Sequence, residues 1–368
     1  MRALVTADTV GGVWTYTREL VSGLTRRGID VTLVSFGNIP DPSQREWIDA
    51  LSSVDYRATA FKLEWMQESE ADLEMSSEFL LDVISETKPD ILHFSQYCYG
   101  ALKTDVPRVV VAHSDVCSWW AEVHGKQPEE SSWIQSYRDI VLNGLKGATC
   151  VVAPSRWMLN AIREHYGALP SGAVIYNGRN PGLFNPHVSK DDLVIGVGRV
   201  WDKAKQVSLL ADCSHKVPVW IVGSERHPDP AFEGRGNELL KRNVRWCGQQ
   251  SEAQLRLLFS RASMYAATSR YEPFGLAPLE AALSRCAIIA NDIPTFRELW
   301  GESVMYFRSN DAEDLARKIE QLQNDRELRL TYANLAYRRA KQRFTAERMV
   351  NDYVNLYQTL VPAGAAVA

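Results

Sequence analysis

Two glutamates lie eight positions apart around a glycine-bearing turn in the second half of the sequence. Glu272 precedes the turn, Gly275 lies within it and Glu280 follows it. Glycine can adopt a positive φ and lets the backbone come close to a ligand, because it has no Cβ. Pro278 is tolerated only in the first turn of a helix, so a helix is predicted to begin between Leu276 and Pro278. The two carboxylates can then address two parts of one ligand.

The chemistry of this turn suits an anion flanked by hydroxyl groups. The amides of Phe274, Gly275 and Leu276 would face the ligand, where the positive end of the helix dipole favours negative charge. A carboxylate accepts hydrogen bonds from paired hydroxyls, which a hexose and a ribose both offer. Alternatively, Glu280 only complements the helix dipole and Glu272 is a solvated loop acid. For the combined pattern we favour a site for a sugar diphosphate.

Cations follow another predicted strand, at residues 193–197. Arg199, Lys203 and Lys205 come directly after it. A diphosphate gains negative charge when it departs, and fixed cations in a drier site stabilise that charge by several kcal/mol. Alternatively, these are surface cations of a loop.

The sequence around both groups resembles a known enzyme family. Residues 272–276 are Glu-Pro-Phe-Gly-Leu and residues 278–282 are Pro-Leu-Glu-Ala-Ala, which is similar to the E-x7-E signature of the retaining GT-B glycosyltransferases of family 4, the group 1 glycosyl transferases. The resemblance implies that Glu272, with the three amides of the turn, holds the donor sugar. It implies that Glu280 holds the ribose.

The segment after residue 197 is similar to the G-R-x(4–5)-K motif of the same family. The resemblance places Arg199 and Lys205 against the diphosphate. The segment departs from the common pattern because its spacing is one residue longer and Gln206 stands where a glycine often follows the lysine. Lys203 is therefore a rival for the phosphate role.

Further candidates lie in the first half of the chain. Gly11 and Gly12 join the first predicted strand to the first helix, where amides can approach a phosphate, although a tight turn alone explains them equally. His113 follows the predicted strand 109–112, and a lone histidine is usually structural. In the family, the glycine loop closes over the donor diphosphate and acceptor, and a cleft histidine contacts a sugar hydroxyl. The resemblance implies these roles for Gly11, Gly12 and His113.

Other residues near strand ends are weaker candidates. Trp119 and Trp120 could stack on a carbohydrate acceptor or be buried, and both interpretations stay open. Ser224 and Glu225 follow a predicted strand, as does the 247–249 turn. We expect these three positions to edge the nucleoside pocket, with backbone contacts to the base.

The elements that position these residues follow from hydrophobic alternation. Short β-branched runs alternate with helical patterns, which is typical of parallel sheets wrapped by helices. Residues 311–360 are predicted to be helical throughout. The predicted strands are residues 3–6, 31–36, 91–94, 109–112, 150–153, 174–176, 193–197, 217–222, 244–247, 264–267, 287–290 and 304–307.

The predicted fold class is α/β of the GT-B type, with two Rossmann-like domains whose parallel sheets face a central cleft. Turn-forming residues are dense in residues 176–186, where we place the hinge. We expect an N-terminal acceptor domain at residues 1–180 and a C-terminal donor domain at residues 187–344. The resemblance implies that the final helix, about 346–360, packs back on the first domain.

Composition fits an ordinary globular enzyme of two domains. The chain has 368 residues, of which 45% are hydrophobic and 23% charged, and its net charge of −4 argues against a nucleic-acid partner. No apolar run is long enough for a membrane helix, and the basic run 338–343 is interpreted as a solvated helix face, although it leaves membrane association open. The six scattered cysteines predict reduced thiols. We expect a cytoplasmic protein.

The predicted activity is transfer of a sugar from a nucleotide diphosphate sugar to an acceptor hydroxyl of a glycan, a lipid-linked molecule or a small molecule. We expect no cofactor beyond the co-substrate, a UDP- or GDP-sugar, and no metal, since the sequence has no Asp-x-Asp triplet. Retention without an obvious nucleophile fits front-face attack, as proposed for the family. Two alternatives stay open: a nucleotide-sugar epimerase of the same fold and a non-catalytic nucleotide-sugar binding protein.

Overall fold

The computed structural model describes residues 1–9, 11–224 and 243–361. Within them the chain forms two parallel β-sheets, one of seven strands and one of six, and helices lie between most successive strands. The predicted α/β class with parallel sheets is confirmed. The chain divides into two compact units. The first unit comprises Met1–Ala121, Lys126–Gly178 and Ala346–Ala368, and the second comprises Glu122–Gly125 and Arg179–Thr345.

The sheet of the first unit has the order β3-β2-β1-β4-β5-β6-β7. Its strands are β1 Arg2–Asp8, β2 Asp30–Phe36, β3 Val54–Ala58, β4 Ile91–Phe94, β5 Arg108–Val111, β6 Cys150–Ala153 and β7 Gly172–Val174. Strand β1 lies between β2 and β4, so the order reverses direction beside β1. In open parallel sheets this reversal leaves a crevice at the carboxyl ends of the strands.

The sheet of the second unit repeats this arrangement with the order β10-β9-β8-β11-β12-β13. Its strands are β8 Asp191–Val197, β9 Val219–Val222, β10 Val244–Trp246, β11 Ala262–Ala267, β12 Ala287–Asn291 and β13 Met305–Phe307. Here the order reverses beside β8, which pairs with β9 on one side and β11 on the other. The segments that follow β8 and β11 therefore share one crevice of this sheet.

The α-helices connect the strands and cover the sheets. They are α1 Gly12–Thr25, α2 Pro42–Asp49, α3 Glu70–Thr87, α4 Val116–His124, α5 Ser132–Gly147, α6 Arg156–Tyr166, α7 Leu209–Asp212, α8 Glu252–Arg261, α9 Leu276–Leu283, α10 Pro294–Trp300, α11 Ala312–Asn324, α12 Arg326–Arg343 and α13 Ala346–Leu360. Short 3-10 helices cover Cys98–Ala101, Pro181–Leu183 and Gly301–Ser303.

Helix α13 belongs to the core of the first unit, although it follows the second unit in sequence. It packs on α1, and its buried Met349, Val350, Tyr353 and Tyr357 join the cluster that includes the apolar side chains of β1. Burial of four such side chains contributes roughly 1.5–3 kcal/mol each. The six cysteines are free thiols.

Candidate active site

Apart from Gly11 and Gly12, the predicted donor-side residues lie on segments that leave two neighbouring strands of the second sheet. Strands β8 and β11 are parallel and paired, with Tyr265 opposite Ile195. Parallel strands end at the same edge of a sheet. Residues 198–205, after β8, and residues 268–275, after β11, consequently meet beside that edge.

Glu272 and Lys205 come together at this edge. The Nζ of Lys205 lies 2.8 Å from Oε2 of Glu272, and the Oγ of Ser269 donates to the same carboxylate oxygen at 3.0 Å. The side chain of Glu272 is 12% exposed and that of Lys205 is 28% exposed. The pair is thus partly shielded from water while remaining accessible to a ligand.

Backbone and side-chain hydrogen bonds join the two segments that carry this pair. The hydroxyl of Thr268 donates to the carbonyl of Lys205 at 2.7 Å, and the amide of Arg270 donates to the carbonyl of Ala204 at 2.9 Å. Asn291, fully buried at the end of β12, donates through Nδ2 to the carbonyl of Ser269 at 3.1 Å. These bonds hold the segments in one arrangement.

The glycine turn has the geometry that the sequence predicts. Gly275 adopts a φ of 89° and is the N-cap of α9, which begins at Leu276. A Cβ at Gly275 would lie 3.1 Å from Cγ of Glu272 and 3.2 Å from Cγ of Pro278. Phe274 is buried, with its ring 5.4 Å from that of Phe344. The turn therefore requires glycine for both its φ and its space.

Glu280 lies in the middle of α9 and forms a buried ion pair that no pattern in the sequence predicts. Its Oε1 is 2.8 Å from Nε of Arg179, and Nη2 of Arg179 is 2.8 Å from Oε1 of Glu252. The two acids also affect a buried side chain of β11. Burial is the main cause that raises the pKa of Tyr265, and the negative charges of Glu272 and Glu280 raise it further.

Arg199 is more exposed than Lys205 and is held by its own segment. Its guanidinium lies 2.7 Å from Asp202 and 4.8 Å from the ring centre of Trp201. Lys203 is exposed. Gln206 has a φ of 45°, in the left-handed region. That conformation explains physically why glycine suits this position, since a residue with a Cβ is strained there.

The glycines of the first unit form the turn between β1 and α1. Gly11 has a φ of 85° and caps α1, which begins at Gly12. A Cβ at Gly11 would meet no protein atom within 4 Å. Unlike Gly275, Gly11 is therefore required by its backbone conformation alone.

His113 follows β5 and lies half-buried against an aromatic side chain of α1. Its ring centre is 4.6 Å from that of Tyr16, in an edge-on arrangement. Burial lowers the pKa of His113 to about 3, so the imidazole is neutral at pH 7. A neutral imidazole can donate one hydrogen bond and accept another.

A second histidine, His93 in β4, is fully buried behind the same tyrosine. The Tyr16 hydroxyl lies 3.0 Å from its Nε2, and the Tyr357 hydroxyl lies 2.7 Å from its Nδ1. Burial, and then the neighbouring His113, lower the pKa of His93 to about 3. Both ring nitrogens are hydrogen-bonded, so His93 fixes α1 and α13 against the sheet.

The weaker candidates are placed as follows. Trp119 and Trp120 of α4 are half-buried, with ring centres 6.1 Å apart. Ser224 follows β9 and is half-buried, and Gly248 turns with a φ of 63° after β10. Glu225 lies outside the described residues. Their predicted ligand contacts stay predictions.

Among residues 1–9, 11–224 and 243–361, no three His, Cys, Asp or Glu side chains group as metal ligands would. No helix in the described part of the chain is long and apolar enough to cross a bilayer. The predicted metal-independent mechanism stays a prediction.

Comparison with known families covers both halves of the chain. The model of glycosyl transferases group 1 matches residues 185–339, and the model of glycosyltransferase family 4 matches residues 10–183. The chain belongs to the group 1 glycosyl transferases of family 4. The protein is therefore a glycosyltransferase, as the resemblance of residues 272–282 to the family signature implies.

Curated relatives of this glycosyltransferase act in carbohydrate biosynthesis. The chain is 25% identical over 373 residues to O-antigen chain mannosyltransferase C of Escherichia coli, covering 96% of each protein. It is 25% identical over 295 residues to the alpha-maltose-1-phosphate synthase of Mycobacterium tuberculosis, covering 70% of this chain and 74% of that protein.

Solved structures with the GT-B fold are similar over nearly the whole chain. A sucrose-phosphate synthase of Thermosynechococcus elongatus has a TM-score of 0.77 at 18% identity, covering 98% of each chain. The Anabaena protein HepE, in complex with UDP and glucose, has a TM-score of 0.76 at 17% identity, covering 98% of this chain and 100% of that one. The predicted GT-B fold of this glycosyltransferase is confirmed.

Several residues of the site carry no clear signal in the sequence. Arg179 lies among turn formers, which predicts an exposed loop, yet its side chain is 0% exposed. Ser269 lies three residues before Glu272 in the same segment. This spacing is the feature of the sequence that could have indicated its hydrogen bond to Glu272. Asn291 and His93 contribute through contacts that only the fold creates.

Proposed function

We propose that this glycosyltransferase moves a sugar from a UDP- or GDP-sugar to an acceptor hydroxyl with retention of anomeric configuration. The contact between Lys205 and Glu272 beside Gly275 carries the proposal. The bond that breaks joins the donor sugar to the diphosphate. The ammonium of Lys205 attracts the phosphate side of this bond, and the carboxylate of Glu272 accepts hydrogen bonds from the hydroxyls on the sugar side. The mannosyltransferase relatives and the UDP complexes of structural neighbours support the same donor class.

In the proposed complex, Glu272 accepts hydrogen bonds from the donor sugar, with the amides of Phe274, Gly275 and Leu276 around it. Glu280 accepts from the ribose hydroxyls. Arg199 and Lys205 contact the diphosphate. The ammonium of Lys205 has three donors, so it can keep its bond to Glu272 while it binds a phosphate oxygen.

The proposed reaction is a front-face displacement that needs no metal. The bond from the anomeric carbon to the phosphate oxygen breaks, and its electron pair stays on the diphosphate. The acceptor oxygen bonds to the anomeric carbon from the same face, and its proton passes to the departing phosphate oxygen. Lys205 and Arg199 stabilise the charge that develops on the diphosphate.

Residues of the first unit are proposed to serve the acceptor and the donor phosphates. Gly11 and Gly12 would offer amides at the start of α1. The neutral imidazole of His113 suits a contact to a sugar hydroxyl rather than the work of a general base, because its low pKa makes it a poor proton acceptor. The acceptor is a glycan, a lipid-linked molecule or a small molecule.

The nucleotide is identified by calorimetric titration of UDP, GDP and ADP into the wild type and a Glu280→Ala variant. One nucleotide should bind selectively, and the variant should bind it about tenfold more weakly or worse, because a charged contact to hydroxyls is lost. Absence of binding by all three nucleotides would contradict the donor site.

The role of Glu272 is tested with Glu272→Gln. We expect kcat/KM to fall about 100-fold, with measurable residual transfer, because the amide accepts from hydroxyls more weakly than the carboxylate. Glu302→Gln, at an acid whose side chain is 95% exposed, is the matched control and should transfer normally. Trapping of a covalent glycosyl-enzyme in the wild type would overturn the front-face step, and nuclear magnetic resonance of the product would test retention.

A further inference from the structure

Arg179 is a fully buried arginine at the start of the second unit. Its side chain is 0% exposed, and its backbone amide donates to the carbonyl of Phe344 at 3.0 Å. Removing a guanidinium from water is costly unless charged partners and hydrogen bonds compensate. Its partners therefore indicate what the residue does.

Two carboxylates lie against the guanidinium of Arg179. Nε is 2.8 Å from Oε1 of Glu280, and Nη2 is 2.8 Å from Oε1 of Glu252, the first residue of α8. The Arg179 guanidinium carbon also lies 5.5 Å from the ring centre of Phe184. The planar guanidinium of an arginine can contact two carboxylates at once from different sides, whereas a lysine offers a single point charge.

These contacts extend into a row of alternating charges. Nη1 of Arg256 lies 3.6 Å from the same Oε1 of Glu252. Arg256, Glu252, Arg179 and Glu280 thus form a four-residue charge chain with two positive and two negative members. Its balanced charge offsets the burial of Arg179, and it runs from the partly exposed Arg256 to Glu280.

Glu280 is the member that binds the ribose in the proposed function. Its side chain is 9% exposed, and a free glutamate would sample several rotamers at a cost in entropy when one is selected. A carboxylate offers about four acceptor sites, so one carboxylate can serve both a guanidinium and the hydroxyls of a ribose. The contact with Arg179 restricts Glu280 before the nucleotide arrives.

We infer that Arg179 is a positioning residue that holds Glu280 in the orientation that recognises the ribose of the nucleoside diphosphate. The inference rests on the proposed function, in which Glu280 binds the ribose. It predicts that discrimination between ribose and deoxyribose depends on Arg179, which does not itself touch the nucleotide.

The test is calorimetric titration of the nucleoside diphosphate that binds, UDP or GDP, and of its 2′-deoxy analogue. We expect the wild type to prefer the ribonucleotide by about tenfold or more. Arg179→Met should reduce this preference to less than about threefold, and Arg179→Lys should restore part of it, because the charge returns without the planar guanidinium. Glu252→Gln should give an intermediate ratio.

The matched control is Arg348→Met. Arg348 also contacts the turn-rich segment, through the carbonyls of Tyr176 and Asn177, but belongs to the first unit. Its removal should leave the ribose preference unchanged. If Arg179→Met does not fold, as circular dichroism would reveal, Arg179→Lys and Glu252→Gln carry the test by the same ratio.

The outcomes separate this inference from the proposed function. Suppose that Glu280→Ala abolishes the ribose preference, whereas Arg179→Met folds and lowers the affinity for both nucleotides by the same factor. The inference about Arg179 is then overturned, and the proposed role of Glu280 survives. If the wild type binds both nucleotides equally, the ribose role of Glu280 fails and the inference fails with it. If Arg179→Met and Glu280→Ala reduce the preference equally, and the double variant reduces it no further, the inference is supported.

Discussion

The carboxyl-terminal edges of the two sheets share a reversal of strand order, but one carries paired charges and the other has two histidines that are uncharged at neutral pH. After β8 and β11, the side chains form ion pairs such as Lys205 with Glu272 and Arg199 with Asp202. In the first sheet, His113 follows β5 and the buried His93 lies within β4, and the pKa of each imidazole is lowered to about 3. The reversal beside β1 and beside β8 supplies the crevice in each sheet, and loop residues decide what each crevice can bind.

The largest effect expected from this comparison concerns the charged edge. Lys205→Met should lower kcat about 100- to 1,000-fold, because a fixed cation next to the departing diphosphate is lost. Lys203→Met is the matched variant two residues away, and a change below about fivefold is expected there, as for an exposed cation. The measurement is steady-state transfer with saturating donor. A larger loss in Lys203→Met would assign the phosphate contact to Lys203 instead.

The glycine turns of the two units give the next effect. Gly275→Ala and Gly11→Ala should each lose about 1–3 kcal/mol of stability, because both residues have a positive φ. Gly275→Ala should lose about 1 kcal/mol more, because its Cβ would crowd Glu272 and Pro278, whereas the Cβ at Gly11 has open space. Urea midpoints of the two variants provide the measurement. Equal losses of stability in the two variants would show that the turn at Gly275 relaxes enough to accommodate the added Cβ.

The neutral edge predicts a smaller, pH-dependent effect. His93 is proton-free when folded down to about pH 3, whereas in the unfolded chain it binds a proton below about pH 6.5. The unfolded state binds more protons in that window, so the wild type loses up to about 1.4 kcal/mol per pH unit from this residue as the pH falls through it.

In His93→Gln this contribution is absent. The variant should be less stable than the wild type at neutral pH, because Tyr16 and Tyr357 lose their imidazole partner, but the gap between the two Tm values should narrow as the pH falls from about 7 to about 5. Thermal melts across this range provide the test. Parallel Tm curves would mean that His93 titrates normally in the folded state.

Much of the fold follows from the sequence because buried parallel strands are continuous apolar runs. In the described part of the chain, the pattern predicts every strand except β3, although the predicted strand 174–176 shares only residue 174 with β7. That strand, Val54–Ala58, lies at the edge of the sheet, pairs only with β2 and has no fully buried residue. Its sequence contains Asp55 and Arg57, so it has no apolar run to indicate a strand. An edge strand of this kind depends on the register of its neighbour, which local composition does not reveal.

The site divides in a similar way. The positions of Glu272, Gly275 and Lys205 relative to one another follow from motifs at the ends of adjacent strands. The burial of Arg179 does not, because one of its partners, Glu252, lies 73 positions further along the chain. A charged residue becomes buried only when distant charges compensate it, and that compensation appears only in the folded chain. The domain boundaries and the ligand contacts of His113 stay predictions.

The return of helix α13 to the first unit has a consequence for how the protein is made. The ribosome synthesises the chain from its amino end. The core around β1, however, includes Tyr353 and Tyr357, which are made among the last residues. All of the residues from Arg179 to Thr345 emerge before that helix does. The unit whose synthesis starts first is therefore completed last, and until then it exposes the apolar side chains of α1 on which α13 packs.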